Sequence, residues 1–187
     1  MAITSYGNSD RSSDLSAEAV KTLVQAFISC RLDYCNSLFY GIADGLMSRL
    51  QSVQNAAARL VSGARRYDHI TPVLQELRWL PVRRRVEFKI ATLVYLSLSG
   101  MAPAPAYLAA DCQLISDEDR RLLRSATSRT CVVKRTYSNY ADRCFAAAGP
   151  RLWNSLPTDL RQANISFEQF RRLLKTFLFR CWDRGAL

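Results

Sequence analysis

Apolar residues recur every three or four positions through most of this chain, and that spacing leaves packed helices as the main way to bury them. Val20, Leu23, Val24, Phe27 and Ile28 begin the pattern, and Leu32, Cys35, Leu38 and Phe39 carry it to Gly41. It predicts one continuous helix from Ser16, with Glu18 in the first turn, where a carboxylate suits the helix dipole. A second helix is predicted over 46–62, burying Leu46, Leu50, Val53, Ala57, Leu60 and Val61, with Gly63 as its C-terminal stop. Thr71-Pro72 reads as a helix start, a capping hydroxyl followed by proline at the first helical position. After Leu80-Pro81 a long helix runs to Ser99, with Val82, Val86, Ile90, Leu93, Val94 and Tyr95 inside.

The second half is less regular. Met101 to Pro105 reads as a linker, and the acidic stretch to Asp119 as loop and short helix. Thr130 to Arg135 is a β-like run. A helix over 139–148 is predicted to stop at Gly149-Pro150, and Leu152, Trp153 and Leu156 form an apolar knot before Pro157. Ser166 and Gln169 fit a capping box for a last helix, apolar along Phe167, Phe170, Leu174, Phe177 and Leu178 and basic along Arg171, Arg172, Lys175 and Arg180. The expected fold is mainly α, an irregular helical bundle with at most one short β-hairpin-like element. It divides into a disordered N-terminal segment (1–15), an N-terminal helical subdomain (16–100), a linker (101–119) and a basic C-terminal subdomain (120–187).

With 187 residues, 49% of them apolar, the chain has enough to bury to offset the entropy of ordering most of itself. Its charge is +10, and 22 of its 26 cations are arginines, whose planar fork of donors suits phosphate and base faces. The surplus is uneven: −1 over 1–58, +5 over 59–89, −4 over 90–119 and +10 over 120–187. Two basic blocks flanking an acidic spacer fit a polyanion binder. Six cysteines in a chain with no hydrophobic leader read as free thiols of an intracellular protein, nuclear or cytoplasmic. No apolar run reaches membrane-spanning length.

Catalytic patterns are missing from the sequence. There is no nucleophile elbow, phosphate loop, dinucleotide fingerprint or zincin helix. The single histidine, His69, reads as a turn residue bonding locally, and Cys30 and Cys35 as a buried thiol pair on one helix face, without the second ligand pair zinc needs. Tyr140-Ala141-Asp142 superficially matches the aromatic-Ala-Asp-Asp turn of polymerases that copy RNA. The second carboxylate is replaced by Arg143, and one aspartate followed by a cation does not hold two metal ions. No cofactor, metal site or catalytic residue is expected.

The basic residues carry the functional reading. Arg65-Arg66 and Arg83-Arg84-Arg85 bracket Trp79, and Arg120, Arg121, Arg124 and Arg129 precede Lys134-Arg135. Interleaved with Tyr67, Trp79, Tyr137 and Tyr140, they suit backbone contacts plus stacking on unpaired bases. Arg65, Arg66, Arg83, Arg84, Arg85, Arg171, Arg172 and Lys175 are the candidate nucleic-acid contacts. The alternative is a helical protein-interaction or self-association module, with Trp153 and Trp182 at an exposed apolar surface.

Five ordered blocks resemble a known family. They are Ala26-Phe27-Ile28 through Ser29-Cys30-Arg31-Leu32-Asp33-Tyr34-Cys35-Asn36-Ser37-Leu38, then Leu50-Gln51-Ser52-Val53-Gln54-Asn55-Ala56-Ala57-Ala58-Arg59-Leu60, then Tyr67-Asp68-His69-Ile70-Thr71-Pro72-Val73-Leu74. Trp79-Leu80-Pro81-Val82-Arg83 and Gly149-Pro150-Arg151-Leu152-Trp153-Asn154-Ser155-Leu156-Pro157 complete the set. Together they resemble the region after the fingers and palm in LINE-type (non-LTR, jockey-superfamily-like) retrotransposon reverse transcriptase proteins, over about Ser16 to Arg180. The resemblance implies an accessory region that engages template RNA or target DNA during target-primed reverse transcription. The polymerase and endonuclease residues of such proteins have no counterpart here, so an upstream polymerase domain is the implied partner.

Overall fold

A computed structural model describes residues 17–100, 105–117, 129–138 and 140–184, and these are mainly helical. The expected disordered segment, part of the linker, and Arg120, Arg121 and Arg124 lie outside the described residues.

The single helix expected from Ser16 to Gly41 is broken. Helix α1 (Ala17–Val24) runs into a π turn (Gln25–Ser29) and then α2 (Cys30–Asp33). Each extra residue in a helical turn rotates the downstream helix by roughly 100°. The buried side now runs through Val24, Ser29, Leu32 and Asn36, while Leu23, Phe27 and Leu38 point outward. Tyr34 is extended and Cys35 left-handed (φ 50°), after which Asn36–Phe39 forms a 3-10 turn. Cys30 and Cys35 are therefore both exposed, and the buried thiol pair is not formed.

Helix α3 (Asp44–Ser62) ends at Gly63, whose φ of 70° is the left-handed stop expected of glycine there. Its inward face differs from the one the apolar spacing predicts. Met47, Gln54, Ala57 and Ala58 are buried; Leu46, Val53 and Leu60 are exposed. Hydrogen bonds explain the rotation. Gln54 Nε2 donates to the Leu80 carbonyl at 2.8 Å, and Gln51 Oε1 accepts from the Val82 backbone N–H at 2.9 Å. Turned inward, the two glutamines serve a buried carbonyl and one of the orphan N–H groups at the start of the next long helix.

Helix α4 (Ile70–Glu76) starts before the expected Thr71-Pro72, so Pro72 stands in the first turn, where its missing N–H has no intrahelical partner. Helix α5 (Val82–Ser99) keeps its predicted bounds and is central. It packs against α3, a short α6 (Ala106–Asp111), α7 (Phe145–Ser155) and α8 (Phe167–Arg184). Its buried Val82, Val86, Ile90, Ala91, Val94 and Tyr95 join Trp153, Leu156, Phe170, Leu174 and Leu178 in one apolar cluster. Tyr95 stacks on Phe170 with ring centroids 4.4 Å apart, and its hydroxyl donates to the Ile165 carbonyl. A smaller cluster of Val24, Ala57, Ala58, Leu74 and Trp79 joins α1, α3 and α4.

Three further expectations are corrected. Gly149-Pro150 does not stop a helix: α7 continues through it to Ser155. The clash that bars α conformation before proline involves a Cβ, which Gly149 lacks. The β-like run at Thr130 forms no strand among the described residues, only an isolated bridge between Leu114 and Cys131. A helix side chain takes the place of a partner strand: Asn154 Oδ1 accepts from the Cys131 N–H at 2.8 Å, and its Nδ2 donates to the Cys131 carbonyl at 2.9 Å. Trp153, which the self-association alternative places at an exposed surface, is fully buried beside Leu156, with Nε1 donating to the Arg129 carbonyl at 2.6 Å.

Candidate nucleic-acid interface

Helices meeting at angles leave a gap where their ends diverge, and here the gap is basic. A cavity of about 700 Å³ opens between the π turn and α2, the α4–α5 junction, α5 and α8. Among the described residues Arg78, Arg85, Lys89, Arg171, Arg172 and Lys175 line it, against two carboxylates, Asp33 and Glu168. Leu77, Trp79, Leu80 and Phe88 supply apolar wall.

Helical spacing sets most of these positions. Arg85, Phe88 and Lys89 share one face of α5, and Glu168, Arg171, Arg172 and Lys175 one side of α8. The α8 start shows the serine half of the expected capping box, with the Gln169 backbone N–H donating to Ser166 Oγ at 3.3 Å. Arg171 sits with its guanidinium carbon 5.6 Å from the Phe167 ring centroid. Arg78 arrives differently. Its φ of 54° is left-handed, a conformation costing a non-glycine residue roughly 1–2 kcal/mol. The backbone turns there so that the Trp79 N–H bonds the Leu74 carbonyl at 2.8 Å and closes the end of α4.

The cations are unevenly compensated. Arg85 is largely buried; its Nη1 lies 2.8 Å from Asp33 Oδ1, and its Nε donates to the Leu80 carbonyl at 3.0 Å. Lys175 is half-buried, and desolvation is the main force holding its ammonium below the usual lysine range. Arg78, Arg85 and Arg171 push the same way, and Asp33 opposes them. A lysine crowded by three arginines in a partly dry cavity marks positive potential that a bound anion would relieve.

Of the eight contacts proposed from sequence, four converge on this cavity: Arg85, Arg171, Arg172 and Lys175. The others lie elsewhere. Arg65 and Arg66 are exposed on the loop after α3. Arg83 pairs with Asp44 beside a second cavity of about 310 Å³ lined by Phe39, Tyr40 and Met47. Arg84 pairs with Glu87 at 2.7 Å. Sequence reasoning passed over Lys89, Arg78 and Asn36. Lys89 was open to inference from its four-residue spacing to Arg85; the other two carry no local signal. Tyr67, Tyr137 and Tyr140 are exposed away from the cavity lining, and Trp79 alone of the four aromatics reaches it.

The remaining motifs have structural partners. Asp142 pairs with Arg151 at 2.6 Å and accepts the Thr136 hydroxyl; that hydrogen bond first, then Arg151, holds its carboxyl below the usual range. His69 is exposed at the start of α4 and makes no cap bond; its neighbour Asp68 makes the local bond instead, accepting the Arg65 backbone N–H at 2.6 Å. Among the described residues no group of three His, Cys, Asp or Glu side chains is placed to hold a metal ion. None of their helices is long and apolar enough to cross a membrane. Comparison with protein-family models, curated proteins and solved structures returns no match.

Proposed function

We propose that this chain is a non-catalytic nucleic-acid-binding region of the kind that accompanies a retrotransposon reverse transcriptase, gripping template RNA or target DNA for a polymerase domain. One observation carries the reading: among the described residues, six cations from α5, α8 and the α4–α5 junction converge on one cavity with two carboxylates to balance them. Structural ion pairs neutralise themselves, as Arg84 and Glu87 do; this cluster does not. Phosphate supplies the missing charge, and the arginine forks match its oxygens. The five sequence blocks that resemble the post-palm region of LINE-type proteins give the process.

Salt titration of binding to a labelled single-stranded oligomer tests it. Affinity should fall linearly on logarithmic axes as counterions are released. Arg171→Ala with Lys175→Ala should flatten that slope by about one for each phosphate no longer engaged, whereas Arg65→Ala with Arg66→Ala should change it less. Absence of binding at low salt refutes the proposal.

A second reading, self-association, rests on one observation. Leu46, Val53 and Leu60 are exposed at seven-residue intervals along α3, the spacing of a helix-pairing seam. Sedimentation of the wild type against Val53→Glu separates the two. A salt-insensitive dimer lost in the variant, without affinity for nucleic acid, favours this reading.

A further inference from the structure

Two of the tyrosines that the cavity does not use stand together in the loop before α7. Tyr137 is 98% exposed and Tyr140 is 83% exposed. An aromatic ring carries a large apolar surface, and one left in water forgoes the gain of burying it. Exposed aromatics scattered singly ask for no partner. These two fall three positions apart, which keeps their Cα atoms within about 11 Å however the loop bends. One strand can meet both.

The loop holds them in place. The Thr136 hydroxyl donates to Asp142, Asp142 pairs with Arg151 of α7 at 2.6 Å, and the Asp142 N–H donates to the Ser138 carbonyl at 3.1 Å. Arg143 is seated twice. Its side chain lies against Gly41, where a Cβ would stand 3.1 Å from its Cγ, and its guanidinium carbon is over the Tyr140 ring, 5.6 Å from the centroid. The guanidinium takes one face of that ring and leaves the other open.

Charge selects the partner. Lys134 pairs with Asp111 at 3.5 Å, and Arg151 neutralises Asp142. Arg135 and Arg143, both exposed, pair with no carboxylate among the described residues. Open rings beside unpaired arginines suit bases joined by phosphates. A duplex keeps its base faces stacked inside, so only an unpaired strand offers both groups.

We infer, building on the nucleic-acid reading above, that the loop over 135–143 is a second contact for nucleic acid, a stacking platform for unpaired bases. One base rests on the open face of Tyr140 and a neighbouring base on Tyr137, while Arg135 and Arg143 meet the phosphates between them. The cavity supplies charge and the loop supplies rings, so the strand is taken unpaired.

Fluorescence anisotropy on the full chain, comparing a labelled oligothymidine strand with a duplex of the same length over a range of salt, tests this. Tyr137→Ala and Tyr140→Ala should each weaken single-strand binding about tenfold, the worth of one stacked base. The slope of affinity against salt should not change, because stacking releases no counterion. Duplex affinity should stay as in the wild type, and Tyr137→Phe and Tyr140→Phe, which keep the ring, should bind as the wild type does. Circular dichroism checks each fold. If an alanine variant does not fold, the wild type decides: a bromouracil-substituted strand should crosslink to Tyr137 or Tyr140 under ultraviolet light, as mapped by mass spectrometry. Unchanged single-strand affinity in either alanine variant, equal losses on strand and duplex, or crosslinks confined to other residues overturn the inference while the nucleic-acid reading stands. A shallower salt slope assigns the loop to phosphate contact and overturns stacking. Failure of the wild type to bind either oligomer at low salt refutes the nucleic-acid reading itself.

Discussion

Asp33 Oδ1 lies 2.8 Å from Arg85 Nη1, which makes this half-exposed carboxylate the counter-ion of a largely buried arginine in the cavity. The pair ties α2 to α5 and subtracts one charge from the basic cluster. Asp33→Asn should therefore strengthen binding of single-stranded RNA or DNA, by roughly two- to fivefold at low salt, with the difference shrinking as salt screens it. Unchanged or weakened binding would show that Arg85 needs its partner for position more than it suffers from it. Anisotropy at two salt concentrations distinguishes these outcomes.

Lys175 gives a pH signature. A bound phosphate needs the ammonium form, and in the free chain burial and three arginines favour its loss. Affinity for a single-stranded DNA oligomer should thus decline as pH rises through the alkaline range, beginning below the ordinary lysine value of 10.5. Lys175→Arg, which stays charged there, should remove the decline. A pH profile identical in the two proteins refutes the assignment.

Helices α5 and α7 approach so closely at Gly149 that a Cβ there would lie 3.0 Å from Val94 Cγ2 and 3.3 Å from Phe145 Cε2. Gly149→Ala introduces the Cβ that disfavours α conformation before Pro150, which offsets any gain in helix propensity, and overpacking against Val94 and Phe145 costs about 1–3 kcal/mol. Net destabilisation of about 1–3 kcal/mol is expected in urea unfolding. Adding Val94→Ala should cost less than the two changes measured separately, because the smaller side chain makes room.

The thiols should divide into two classes. Burial pushes Cys112 up to about 11 and Cys131 up to about 12, whereas Cys30, Cys35 and Cys144 are exposed. Alkylation depends on the thiolate. Iodoacetamide at mildly alkaline pH should label the three exposed cysteines quickly, and reach Cys112 and Cys131 only in denaturant. Mass mapping of the labelled peptides reads the result, and early labelling of Cys131 would contradict the packing around Asn154.

Sequence is a sufficient guide where local chemistry decides. The bounds of α5, the Gly63 stop and the Ser166 cap depend on residues within a turn of one another. The features it misplaces depend on partners far along the chain. The inward face of α3 is set by Gln54 reaching the Leu80 carbonyl, 26 residues away, and no apolar count reveals that. The run around Cys131 has strand chemistry but meets a helix side chain. The cavity shows the same division. Arg171, Arg172 and Lys175 are visible as one helix face, but their meeting with Arg78 and Asn36 is a product of tertiary packing.

Arg78 stands where glycine would sit without strain. A protein shaped for robustness alone would have glycine or asparagine at this corner, as most left-handed corners do. If the cavity binds nucleic acid as proposed, keeping a cation there sets rigidity against binding at a single position. Stabilising redesign guided by backbone preference would begin by deleting this arginine, and would return a sturdier protein with one cation fewer in its basic cavity.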